Sequence, residues 1–117
     1  MNQIELTLNT KDFVDAVKRM TPKRVRKVTK NDEVAIFVSN ACFMISNRQL
    51  ITECPLKNEN WTGCVELKFN VLLSISLIPP ASPEITISFK DGKLKIASLS
   101  ISAKWLAAPQ WISVKKV

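Results

Sequence analysis

Residues 63–111, GCVELKFNVLLSISLIPPASPEITISFKDGKLKIASLSISAKWLAAPQW, decide the fold. Cys64-Val65-Glu66-Leu67 reads as a short strand. Lys68 to Ile78 then reads as a short apolar helix, closed by Pro79-Pro80 because the residue before a proline is pushed out of the α region. Ile85, Ile87 and Phe89 alternate with polar residues, which is the period of a half-buried strand. Asp91-Gly92 supplies the positive-φ positions of a tight hairpin, and Leu94 and Ile96 alternate on the return strand. Leu99, Ile101, Ala103 and Trp105 alternate on one last strand, with Ser98, Ser100, Ser102 and Lys104 on its other face. The order is strand, helix, three strands.

The same order precedes it. Ile4, Leu6 and Leu8 alternate, and Asn9 and Thr10 offer cap oxygens to a helix opening at Lys11-Asp12. Phe13, Ala16, Val17 and Met20 share one face of that helix, with Lys11, Asp15, Lys18 and Arg19 opposite. Thr21-Pro22 is expected to end it. Three strands follow at about 33–39, 42–47 and 49–54, with Asn40 and Asn47 at the turns. They carry apolar residues on both faces, so cover is expected on one side from helices and in part on the other. Residues 55–61 read as a polar connection. The expected architecture is α+β: a single domain over 1–106 with halves at about 1–55 and 62–106, and a tail over 107–117. The repeat is one of pattern rather than of letters, and neither half is expected to be stable alone.

Composition narrows the function. At 117 residues, 46% apolar and 23% charged, the chain has ordinary globular composition. No apolar run reaches the length of a membrane span, and MNQIELTLNT does not have the form of a secretory signal, so a cytoplasmic protein is expected. Cys42, Cys54 and Cys64 lack C-x-x-C spacing and there is no histidine, so reduced thiols are expected rather than a zinc site. The missing histidine also removes the commonest general base. Two glycines cannot build a Gly-rich phosphate loop. No enzyme activity, cofactor or metal is therefore expected.

Net charge is +7, and Lys18, Arg19, Lys23, Arg24, Arg26, Lys27 and Lys30 fall in one stretch without an acid. Such clustering suits a phosphate-binding surface; the alternative is a solvated loop tacked down by Val25 and Val28. Trp61 either anchors a partner or folds back on its own sheet.

IELTLNTKDFVDAVKRM, EVAIFVSNACFMISNRQLITECPL and the stretch quoted first resemble one domain of the bacterial DNA polymerase sliding clamp, the β clamp. The resemblance covers nearly the whole chain. It implies a DNA-clamp-like fold of two β-α-β-β-β halves, with two helices on one face of antiparallel sheets. It further implies a protein that binds duplex DNA through phosphates without base readout, since base contacts would fix the register of a sliding ring. Lys23, Arg24, Arg26 and Lys27 occupy the loop after the first helix that can touch DNA in the family, and Lys11, Lys18 and Arg19 lie on the solvent face before it.

The sequence departs from the family in three ways. A clamp subunit has three such domains and this chain has one, so a ring would need about six copies. Only Lys68 stands on the second helix, where the family has several basic residues. The family's partner-peptide pocket lies near a domain junction, so no pocket residue carries over. The expected role is a self-associating DNA-binding factor of replication or repair, joined through sheet edges with Trp105 or Trp111 near the contact, as a dimer ahead of a closed hexamer. A second reading keeps the fold but uses the apolar second helix and tail, with Leu77 and Trp111, to bind another protein, such as a replication or repair factor. A third is an RNA-binding domain.

Overall fold

A computed structural model of the chain describes residues 3–20, 33–47, 50–109 and 115–116. The first half runs β1 (Ile4–Asn9), α1 (Thr10–Met20), β2 (Glu33–Ser39), β3 (Cys42–Ser46), β4 (Leu50–Pro55) and β5 (Asn58–Asn60). The second runs β6 (Cys64–Lys68), α2 (Phe69–Leu77), β7 (Glu84–Lys90), β8 (Lys93–Ile96), β9 (Leu99–Ser102) and β10 (Lys104–Leu106), and β11 (Lys115–Lys116) follows. Among the described residues the fold is α+β, with two helices and two largely antiparallel sheets, as the sequence pattern implies.

The halves do not fold side by side. One sheet has the order β5-β1-β7-β8-β9 and the other β10-β6-β2-β3-β4-β11. Thus β1 of the first half pairs with β7 of the second, from Ile4 opposite Phe89 to Asn9 opposite Glu84. Reciprocally, β6 pairs with β2, from Glu33 opposite Lys68 to Phe37 opposite Cys64. Advancing each element by one half, β1 to β6, β2 to β7 and so on, turns the first order into the second, apart from β11. Each half lends its first strand to the sheet of the other.

The core lies where the inner sheet faces meet the helices. Leu6, Leu8, Ile36, Phe43, Ile45, Ile85, Ile87 and Leu94 are fully buried or nearly so. α1 adds Phe13, Ala16, Val17 and Met20, the stripe expected from its i, i+3, i+4, i+7 spacing. It packs on strands of both sheets and against α2, and the Phe13 and Phe43 rings lie 6.3 Å apart. Asn9 caps α1, its Oδ1 accepting from the Asp12 N–H at 3.2 Å. α2 covers 69–77, one residue shorter at each end than expected. Both faces of β3 are buried: Phe43 and Ile45 on one, Met44 and Ser46 on the other. None of the described helices is long and apolar enough to cross a membrane.

Three expectations are corrected. The 55–61 connection contains β5, an edge strand with no apolar residue, which pairs with β1. The lead-in is fixed by the Lys57 N–H donating to the Thr7 carbonyl at 3.0 Å. The strand expected over 99–105 breaks at Ala103, so that β9 stays in the first sheet while β10 pairs with β6 in the second. Finally, the stretch read as a tail contributes β11, which pairs in parallel with β4 at Leu50 and Ile51.

The crossing point is held by two indoles. Trp61 is buried and donates its Nε1–H to the Gly63 carbonyl at 3.0 Å. Trp105, half-buried on β10, donates its own to the Thr62 carbonyl at 2.8 Å. Gly63 has φ +73, and a Cβ there would overlap the Leu106 carbonyl oxygen and the Trp105 ring. Gly92 has a similar φ of +78, yet a Cβ would meet open space. Gly63→Ala should therefore lose about 2–4 kcal/mol, through overpacking and backbone strain together. Gly92→Ala should lose only about 1–2 kcal/mol, from strain alone. Urea unfolding of the two variants measures the difference.

Candidate functional site

The outer side of the helix pair is the first candidate surface. On α1, burial of the apolar stripe leaves Lys11, Asp15, Lys18 and Arg19 exposed. Lys11 and Lys18 make no ion pair with a described residue. Arg19 is engaged: its Nε–H donates to the buried Thr52 hydroxyl at 3.0 Å and its Nη2 to the Glu53 carbonyl at 2.7 Å. The guanidinium thus fastens the end of α1 to β4. Lys23, Arg24, Arg26 and Lys27 lie outside the described residues, as do Pro22, Val25, Val28, Lys30 and Trp111.

α2 differs in kind. It carries no charge, buries Phe69, Leu72, Ile75 and Ser76, and half-buries Val71 and Leu73. Lys68, which precedes it, lies 3.6 Å from Glu33 in an exposed ion pair. Leu77 ends the helix 71% exposed, and Ile78 follows at 84%. The helix pair therefore presents a charged half and an apolar half.

Beside α1 lies an open groove of about 570 Å³, walled by α1 at Lys11, Val14 and Lys18 and by Pro79, Pro80 and Pro83 from the loop after α2. Thr10 ties the walls together. Its N–H donates to the Pro83 carbonyl at 2.9 Å and its hydroxyl to the Ser82 carbonyl at 2.8 Å. The sequence reading singled out Leu77 but neither Ile78 nor the groove. The available signal was two branched apolar residues running straight into paired prolines.

Sheet edges are the second candidate surface. Trp105 lies on β10, an edge strand, with its indole N–H used internally. Among the described residues β9 is an edge strand of the first sheet, and it exposes Leu99. The β4 edge is partly occupied by β11.

The cysteines are free: Cys42 half-buried, Cys54 and Cys64 buried. Burial pushes the Cys54 thiol up to about 12, with the Asp12 carboxylate adding to the effect, and burial likewise raises Cys64. Neither thiol is poised as a nucleophile at neutral pH. The described residues hold no group of three or more Cys, Asp or Glu able to bind a metal.

Two of the three exposed cations of α1, Lys18 and Arg19, should separate cleanly on substitution. Arg19→Ala removes two hydrogen bonds to β4 and leaves the buried Thr52 hydroxyl without this donor, so it should cost about 1–2 kcal/mol. Lys18→Ala should stay within about 0.5 kcal/mol of the parent. Urea midpoints of the two single variants measure the contrast.

No family model matches the sequence, and no curated protein matches it. Among solved structures, the β sliding clamp of C. crescentus matches with a TM-score of 0.61 and 13% sequence identity. The match covers 97% of this chain and 32% of that one, so the chain spans about a third of the clamp's length. With 97% of its length matched at that TM-score, the chain has the fold of one sliding-clamp domain.

Proposed function

We propose that this protein is a non-enzymatic, sequence-nonspecific DNA-binding factor of replication or repair that self-associates through its sheet edges. The observation that carries the reading is the conjunction of a clamp-domain fold over nearly the whole chain with an α1 that turns Lys11 and Lys18 outward and leads into the basic segment. Lys23, Arg24, Arg26 and Lys27 extend the same cluster along the chain. Phosphates are the partner such a surface suits, and its cations carry no device for reading base edges. Arg19 contributes by holding α1 in place, and any phosphate contact it makes is additional to its bonds with β4.

Binding to duplex DNA should weaken steeply with salt, by roughly 0.9 in log–log slope for each phosphate contact, and should vary little with duplex sequence. Replacing Lys23, Arg24, Arg26 and Lys27 with alanine should weaken binding and flatten that slope by up to about 3–4 units; Lys11→Ala with Lys18→Ala should remove up to about 2 more. Fluorescence anisotropy across a salt series measures both. Absence of salt-sensitive binding to long duplex at low ionic strength would falsify the reading.

Self-association draws support from the β9 edge, which no described strand covers, and its exposed Leu99, because unpaired strand groups are templates for pairing. Sedimentation at high micromolar concentration should show a dimer ahead of any closed ring. Proline at Ser100, whose N–H faces away from β8 in the antiparallel alternation, removes one edge donor and should shift the distribution toward monomer. A strictly monomeric parent protein would count decisively against assembly.

A further inference from the structure

Leu77 and Ile78 stand out against the rest of the surface. Apart from Leu99, every other described leucine and isoleucine is buried or half-buried. Single exposed apolar residues are ordinary, but an adjacent pair leading straight into the loop that walls a groove is the pattern of an interaction site. The pair runs directly into Pro79 and Pro80, which with Pro83 form one wall of the groove beside α1. Proline fixes φ, and the two Thr10 hydrogen bonds hold the wall to α1. The groove is therefore preformed, and little ordering has to accompany binding.

Its charge selects the occupant. The lining includes Lys11 and Lys18 against one acid, Asp15, giving 2 − 1 = +1. Beyond α1 the sequence adds Lys23, Arg24, Arg26, Lys27 and Lys30 before the next acid, Asp32. We infer that the groove docks a short segment of a partner protein, one with an apolar anchor for Leu77 and Ile78 and acidic residues for Lys11 and Lys18. A nucleic acid backbone would serve the lysines but offers nothing apolar to the Leu77–Ile78 pair. A second copy of the chain is a poor occupant. Among the described loops only Asp91 is acidic, and it stands between Lys90 and Gly92. The inference goes beyond the DNA reading and shares only Lys11 and Lys18 with it.

The test uses a short fluorescein-labelled peptide of leucines flanked by glutamates, and the same peptide with lysines for glutamates. Anisotropy should show the acidic peptide binding with a Kd of roughly 0.1 mM or tighter, and the lysine peptide not binding. Leu77→Ser with Ile78→Ser should weaken it about tenfold or more while circular dichroism stays unchanged, since both side chains are exposed. Lys11→Glu with Lys18→Glu should also weaken it, and methyl NMR shifts should centre on Val14, Leu77 and Ile78. Duplex DNA affinity of the Leu77/Ile78 double variant should be retained. The proposal is overturned if the lysine peptide binds equally well, or if the double variant keeps its peptide affinity. It is also overturned if phosphatidylserine vesicles, and not the peptide, bind through Leu77 and Ile78. If the parent protein fails to bind duplex DNA while the peptide results hold, the DNA reading falls and the docking groove stands.

Discussion

The fold depends on a reciprocal loan of strands. β1 is flanked by β5 and β7, and β6 by β10 and β2, so the first strand of each half is completed by the other half. Backbone pairing of this kind cannot be satisfied locally, because unpaired strand groups left in a core cost a full desolvation penalty each. The exchange also brings the helices together. α1 leaves the first sheet and enters the second, α2 does the reverse, and the two meet over the shared core. Everything outward of that core, including the groove between α1 and the Pro79–Pro83 loop, follows from this placement.

The pseudo-symmetry of the backbone is not matched by the side chains. α1 is strongly amphipathic, with cations facing solvent, whereas the equivalent helix α2 is uncharged and ends in exposed Leu77. The cations divide their labour further. Arg19 is committed to β4, Lys68 is paired with Glu33, and Lys11 and Lys18 remain turned to solvent. Positive charge on the helix pair is thus concentrated on one helix. This distinguishes the chain from a domain that would line a channel evenly with both.

Much of the architecture was legible because period-two and period-3.6 patterns are local. Ile85, Ile87, Phe89, Leu94 and Ile96 alternate around Asp91-Gly92, and the hairpin lies there, with Asp91 at φ +52. What stayed hidden was not local. The alternation of Leu99, Ile101, Ala103 and Trp105 continues unbroken through the point where the chain changes sheets, since a side-chain period says nothing about which partner a strand finds. Asn58-Glu59-Asn60 has no apolar residue to announce a strand and is recruited through its backbone to the β1 edge. The turn at Ala97, with φ +54, uses a residue that rarely adopts that region and so sends no signal. At the site, the exposure of Lys11 and Lys18 could be read from helix spacing. The reach of Arg19 to Thr52, thirty-three positions away, and the meeting of α1 with Pro79 and Pro80 could not.

The exchanged strands also govern how the chain emerges from a ribosome. β1, with Ile4, Leu6 and Leu8 on one face, is made early, but its main partner β7 begins at Glu84, about eighty residues later. At ordinary synthesis rates that is a wait of roughly 4–16 s. During it the nascent first half holds an apolar strand without its main partner, and an apolar helix face that has β3 and β4 to pack on but not α2. β2, β3 and β4 can pair among themselves in that interval, but β2 lacks β6 on its other side. Commitment to the native first sheet is deferred until β7 is available. This makes the growing polypeptide, more than the finished one, the form that needs shielding from its neighbours.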